Sequence, residues 1–201
     1  MVNEKRLILA NISNRHMHLS QQDLEILFGK GAVLTNIRDL VQPGQFAAKE
    51  KVNLVGSKRE LKDVRVVGPV RSKTQVEISK TEAISIGVNP PVRESGDLNG
   101  SAKIKLVGPK GEVVINEGCV IAKRHVHFTP VDAEKFGIKD KQLVWVKAGI
   151  GTGRETIFAD VVCRVRSDMA LECHIDTDEA NGCGLVNGDK VELITKLECK
   201  E

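Results

Sequence analysis

Four of the five histidines in this 201-residue chain fall in two copies of one short motif, Arg15-His16-Met17-His18 and Arg124-His125-Val126-His127. Histidines at i and i+2 share one face of a strand but not of a helix. Two imidazoles side by side on an extended segment can grip one metal ion, and the second copy offers a second grip. His174 is a possible fifth ligand. Zinc is the favoured ion, because imidazole nitrogen with an occasional carboxylate suits it and such sites keep a position open for substrate. A lone His-x-His is more often a surface or core pair bonded to carbonyls. A doubled motif that holds nearly all the histidine of the chain points to metal instead.

The elements that must position these side chains are written around them. Each motif is followed by a bulky apolar residue, Leu19 or Phe128, and then by a hydroxyl helix cap, Ser20 or Thr129. Three residues after each cap comes an acid, Asp23 or Asp132, at capping-box spacing. Short helices are predicted to close on Phe28-Gly29 and Phe136-Gly137, the glycines being suited to a left-handed C-terminal cap. The unit reads as a duplicated strand–turn–helix.

Most of the remaining chain reads as short strands joined by tight turns. Lys51-Val52-Asn53-Leu54-Val55-Gly56 and Lys103-Ile104-Lys105-Leu106-Val107-Gly108 are near copies. Gly108-Pro109-Lys110-Gly111 and Asn187-Gly188-Asp189 are hairpin signals, before strands starting at Glu112 and Lys190. Further strands are predicted over 64–67, 75–79, 143–147, 156–165 and 170–175, and short helices over about 81–86 and 176–181. Seen alone, 87–101 would be a linker, but the second motif copy begins near Lys123, well past it. The fold class expected is mainly β, with closed or nearly closed antiparallel barrels, since closure removes exposed edges.

Composition narrows the partners. A formal charge of +3 and a pI near 8.6 are compatible with an anionic small ligand and too weak to argue for nucleic acid. Aromatics make up 3% of residues, too few for base-stacking platforms. Cys119, Cys163, Cys173, Cys183 and Cys199 are odd in number and form no Cys-x-x-Cys pair, which argues against a disulfide framework and a thiolate zinc finger. They read as reduced cytosolic thiols. Cys173 beside His174 is not read as a nucleophile–base pair, because neighbours on a strand point to opposite faces. The apolar run Leu7–Ala10 is too short for a signal peptide or a membrane span, so a cytoplasmic protein without membrane partners is expected.

Taken together, Ser13-Asn14-Arg15-His16-Met17-His18-Leu19-Ser20 and Arg124-His125-Val126-His127-Phe128-Thr129-Pro130 resemble the paired signatures of the propanediol-utilisation type phosphotransacylases, the phosphate propanoyltransferase family. Matching segments also run from Gly68 to Glu77, Arg93 to Asp97 and His174 to Asn181, so the likeness spans about Ile12 to Leu193. It implies two β-barrels capped by short helices, with two zinc ions and the active site between them. The implied barrels are discontinuous, 1–14 with about 123–195 and 15–122, leaving 196–201 as a tail. By the same resemblance His16, His18 and Glu77 would hold one zinc, and His125, His127 and His174 the other. Arg71 would meet phosphate. Coenzyme A would lie along Ile12, Ser13, Asn14, Arg65 and Asn181, with Lys58 near its phosphates.

The reaction implied is reversible transfer of a propionyl or acetyl group between coenzyme A and phosphate, giving an acyl phosphate. Arg71 lies six residues before Glu77, so strand alternation would turn both into one cleft. Arg15 and Arg124 are read as braces for their loops. A homo-oligomer is compatible with the resemblance. Members bound for a microcompartment shell carry an N-terminal extension, and this chain begins almost at the first barrel strand, so encapsulation is not expected. Two rival readings are a binuclear metallohydrolase and a zinc-stabilised binding module without catalysis. The first usually adds bridging aspartates close to its histidines, and neither motif has one immediately following. Loss of folding on chelation would favour the second.

Overall fold

The computed structural model describes residues 6–195, so the tail expected at 196–201 and Cys199 lie outside the described residues. Fourteen strands and four short helices follow one another along it. The N-terminal strand is β1 (Leu7–Ser13). Next come β2 (His16–His18), α1 (Gln21–Phe28), β3 (Asn36–Asp39), β4 (Phe46–Val55), β5 (Glu60–Gly68), β6 (Gln75–Glu77), α2 (Lys80–Ile86), β7 (Val92–Arg93), β8 (Ala102–Val107) and β9 (Glu112–Ala122). The C-terminal part holds β10 (His125–Phe128), α3 (Pro130–Phe136), β11 (Leu143–Ala148), β12 (Thr156–Val165), β13 (Glu172–Asp176), α4 (Thr177–Cys183) and β14 (Lys190–Ile194). Contacts divide the described chain into two compact units, one joining the described residues up to Ser13 with those from Lys123 onward, the other Asn14–Ala122.

Each unit is a closed six-stranded barrel. The first runs β1-β13-β10-β12-β11-β14 and back to β1. In the second, β9-β6-β2-β5-β4-β8 closes on itself because β8 pairs with both β4 and β9. Read in those orders, the two rings match pair for pair. Both contain parallel ladders at the first and third steps (β1/β13 and β10/β12; β9/β6 and β2/β5) and antiparallel ladders elsewhere. The ladders are therefore mixed, because the chain leaves each histidine strand through a helix and crosses over before returning beside it. The segment 87–101 belongs wholly to the second unit and contributes β7, which pairs with β9.

Alternation along the motif strands sorts core from site. Met17 and Leu19, like Val126 and Phe128, are fully buried in the barrel cores, while the histidines beside them face the other way. Cys173 lies in the first core and its neighbour His174 is only partly buried, so the two do not face one another. The near-copied strands β4 and β8 pair directly, Leu54 opposite Leu106.

The helices start as their sequences require, with one difference of detail. Ser20 and Thr129 accept from the backbone N–H of Asp23 and Asp132, both at 3.1 Å. Full reciprocal boxes form instead at Ser79/Glu82 and Asp176/Glu179. Aspartate is one methylene shorter than glutamate; Asp23 accepts from Thr74 Oγ1, while Thr74 Oγ1 accepts from the Ser20 N–H at 2.9 Å. Gly137 caps α3 in the left-handed conformation, but Gly29 has φ 108° with an extended ψ and leads the chain away. Asn187-Gly188-Asp189 turns the chain from α4 into β14 and closes no hairpin. The ends of α2 and α4 rest against equivalent glycines: a Cβ on Gly56 would come within 2.1 Å of Ile86 O, and one on Gly149 within 2.1 Å of Cys183 O.

Candidate metal centres

The second barrel places His16 opposite Glu77 and His18 opposite Gln75 across the β2/β6 ladder. Potential ligand atoms of His16, His18 and Glu77 all lie within 4.8 Å of one another, with His16 Nε2 3.6 Å from Glu77 Oε2. His16 Nδ1 meets Asn14 O and His18 Nδ1 meets Val67 O, both at 2.9 Å. A carbonyl only accepts, so these Nδ1 atoms carry the protons and each Nε2 keeps a lone pair for a metal.

The first barrel repeats the plan. His125 stands opposite His174 on the β10/β13 ladder, and His127 opposite Glu172. The rings of His125, His127 and His174 gather with centroids 4.7 to 5.0 Å apart. His125 Nδ1 bonds Lys123 O at 2.8 Å, the counterpart of the His16–Asn14 contact. Both ring nitrogens of His127 are buried without a hydrogen-bond partner. An unsatisfied buried polar group costs about 1–3 kcal/mol, so this ring fits a ligand role far better than a packing role. The donor sets, three imidazoles in one barrel and two with a carboxylate in the other, fit zinc.

Burial keeps His18 and His127 neutral. His18 is pushed down to about 3 by desolvation first, then by His16 and Arg71. His127 is pushed down to about 2 by desolvation, then by His125 and His174. Both depressed values make the unfolded chain the better proton binder below the ordinary histidine value of 6.5, so metal-free protein loses stability as pH falls through that value towards 3. Thermal melts of chelator-treated protein should show a falling midpoint between about pH 6.5 and 5, above the ordinary carboxylate range. A flat midpoint there would contradict the buried neutral state.

Arg71 reaches the first triad by a route other than strand alternation. Strand β6 is only Gln75–Glu77, and Arg71 forms an isolated bridge with Ser20 before it. The link is Ser95: Arg71 NH1 donates to Ser95 Oγ at 3.3 Å, and Ser95 Oγ donates to Glu77 Oε1 at 3.0 Å. Gln75 Nε2 donates to the same Glu77 oxygen at 2.5 Å, and Gln75 Oε1 accepts from Gly96 N at 2.8 Å. The sequence alone does not mark Ser95 and Gln75 as site residues. Gln75 is two residues before Glu77 on the same strand face, which is the one local signal for it.

The remaining candidates are more dispersed. Arg65 sits opposite His16 on the β2/β5 ladder, its guanidinium donating to Ala48 O at 2.8 Å. Lys58 packs on the end of α2, its N–H donating to Ile86 O at 2.9 Å. In the other unit, Ile12 donates its N–H to Asn187 Oδ1 at 2.7 Å, Ser13 pairs with Asp176, and Asn181 is exposed on α4. Arg15 and Arg124 are braces: each donates to a capping-box glutamate distant in sequence, Arg15 to Glu82 of α2 at 2.7 Å and Arg124 to Glu179 of α4 at 2.5 Å. Among the described residues no helix is long and apolar enough to cross a membrane.

Comparison with known proteins points to one family. The family model for phosphate propanoyltransferase matches residues 9–186. The chain is 54% identical to a Thermotoga maritima protein named phosphate propanoyltransferase, covering 93% of this chain and 89% of that one. It is 51% identical to one from Lachnoclostridium phytofermentans, covering 92% and 86%. A third, from Listeria monocytogenes, is 46% identical over 94% of this chain and 87% of its own.

Proposed function

This chain belongs to the phosphate propanoyltransferase family and is an acyltransferase, and from that premise we propose the details of its reaction. A short-chain acyl group, propionyl or acetyl, passes reversibly between coenzyme A and inorganic phosphate. One zinc ion is held by His16, His18 and Glu77, and a second by His125, His127 and His174. The observation that carries the reading is the His16/His18/Glu77 triad, whose ligand atoms converge, together with the rings of His125, His127 and His174 gathered on the equivalent strands of the other barrel, where the His127 nitrogens are orphaned.

When bound, the metals would supply Lewis-acid charge that favours the coenzyme A thiolate and polarises the acyl carbonyl. The residues of the chain do the rest. The Arg71 guanidinium offers a planar fork for two phosphate oxygens. Ser95 holds that fork and Glu77 in one hydrogen-bonded string, so the anion and the ligand carboxylate are oriented together. In the forward direction a phosphate oxygen attacks the thioester carbonyl, the carbon–sulfur bond breaks and coenzyme A leaves as thiolate. In reverse its sulfur attacks the acyl phosphate and phosphate leaves. Arg65, Lys58 and Asn14 in one unit, and Ile12, Ser13 and Asn181 in the other, are the proposed coenzyme A contacts.

No protein nucleophile is needed, and the cysteines are poorly suited to be one. Burial pushes the thiols of Cys119 and Cys163 up to about 12 and that of Cys173 higher still. Replacing all five cysteines by alanine is therefore expected to leave turnover largely intact in protein that folds. If Cys173→Ala alone abolished turnover while metal content and folding held, a covalent acyl-enzyme would replace this account. Unpaired buried thiols also fit a cytoplasmic location.

The direct test is a thiol-release assay with propionyl- or acetyl-coenzyme A. Release should depend on phosphate and yield acyl phosphate. Equal release without phosphate would return the protein to the hydrolases.

A further inference from the structure

The two barrels carry an arginine at the same place, and only one of them is strapped down. Beyond β5 or β12, the strand running parallel to the histidine strand, the chain sends a backbone N–H to the carbonyl of the residue after the second histidine. Arg71 donates to Leu19 O at 2.9 Å and Arg166 to Phe128 O at 3.0 Å. Their side chains then part. Arg166 is exposed and turns onto its own loop, where Asp168 accepts two bonds, at 2.9 and 2.6 Å. Arg71 is partly buried and donates to Ser95.

The difference continues into the helices. In the first barrel the cap hydroxyl of α3, on Thr129, donates to its own acid, Asp132, at 2.6 Å. In the second barrel Asp23, at the same position of α1, accepts from Thr74 instead, and the Thr74 hydroxyl accepts the Ser20 N–H at 2.9 Å. Thr74 ends the segment 69–74, which joins β5 to β6 and carries Arg71. It is 4% exposed, and its carbonyl lies so close to Gly118 of β9 that a Cβ there would come within 3.0 Å.

We propose that Thr74, held by Asp23, is a positioning residue for Arg71: it straps the arginine's loop to the first turn of α1 and presents the guanidinium to phosphate already oriented. The proposal rests on the phosphate role given to Arg71 above. Without the strap the loop would have to be ordered by each anion that binds, and that cost lowers affinity for the anion. The Thr74 hydroxyl donates to a carboxylate and accepts from a backbone N–H, and the bond to the charged partner is the stronger kind. Acyl-coenzyme A gains nothing from it, because none of its proposed contacts lies in this segment.

The test uses full-length, zinc-loaded protein, with phosphate and acyl-coenzyme A varied separately and zinc counted on each preparation. Thr74→Val keeps the shape and loses the hydroxyl. It should raise the half-saturating phosphate concentration on the order of 10-fold and leave that for acyl-coenzyme A within about 2-fold, at wild-type zinc content. Thr74→Ser keeps the hydroxyl and should keep the phosphate affinity. Asp23→Ala removes the other end of the strap from a partly exposed position, and should raise the phosphate requirement in the same way should Thr74→Val not fold. Lost packing alone would lower the active fraction and move neither half-saturating concentration. That result, or an equal rise for both substrates, overturns the proposal. Arg71→Ala separates it from the reading it rests on, since in that background Thr74→Val should add no further rise. If Arg71→Ala weakens phosphate while Thr74→Val does not, or if Thr74→Val adds its full effect in that background, the strap fails and the role of the arginine stands. If Arg71→Ala leaves the phosphate requirement unchanged, that role fails, and the proposal with it.

Discussion

A His125→Ala protein is expected to keep its barrels, lose one of two zinc equivalents and lose phosphate-dependent thiol release by about 10³-fold or more. The magnitude follows from charge stabilisation of several kcal/mol by a bound metal, with each 1.36 kcal/mol worth tenfold in rate. The ring of His125 lies 4.7 Å from that of His127 and 5.0 Å from that of His174, so its removal leaves two of three imidazoles. The fold should survive, because the core contacts of this strand come from Val126 and Phe128 on its other face. Elemental analysis, circular dichroism and the thiol assay on one preparation would check it. A variant with full turnover and one missing equivalent would make that metal structural, as in the binding-module reading.

Replacing Arg71 by lysine is expected to raise the phosphate requirement much more than the requirement for acyl-coenzyme A. Lysine keeps the charge and loses the two-pronged fork, a loss of about 1–3 kcal/mol where the site is desolvated, or roughly 5- to 150-fold in apparent phosphate affinity. The structure adds a second consequence. The Arg71 NH1 group donates to Ser95, which in turn holds Glu77, so the substitution also loosens one restraint on the Glu77 carboxylate. A Ser95→Ala variant removes that string while leaving the fork, and separates the two contributions. Kinetics in which each substrate is varied separately would show the asymmetry. Equal changes for both substrates would argue against a phosphate role for Arg71.

Much of the site was legible because its rules are local. Histidines two apart share a strand face, a hydroxyl caps the helix that follows, and apolar residues between the histidines point into a core. All of this is decided within about ten residues of chain, and the duplication repeats it. The family resemblance then joined Glu77 and His174 to the two pairs, and register sets them side by side: Glu77 opposite His16, His174 opposite His125. Even so, the local rule misjudged Arg71. Alternation was extended across residues that do not form one strand, since the chain bends between Arg71 and Gln75.

By itself, then, the sequence determined two His-x-His pairs on strands, the helices that follow them and a mainly β chain. Each is a matter of side-chain period or capping, in which the interacting groups are near neighbours along the chain. Tertiary structure alone decided which ladders are parallel and that Ser95 ties Arg71 to Glu77. It also decided that Asn11 and His174 meet the two oxygens of Glu172, Asn11 from 161 positions away. Such contacts depend on how strands far apart in sequence come into register, and a one-residue slip would turn every one of these side chains to the opposite face.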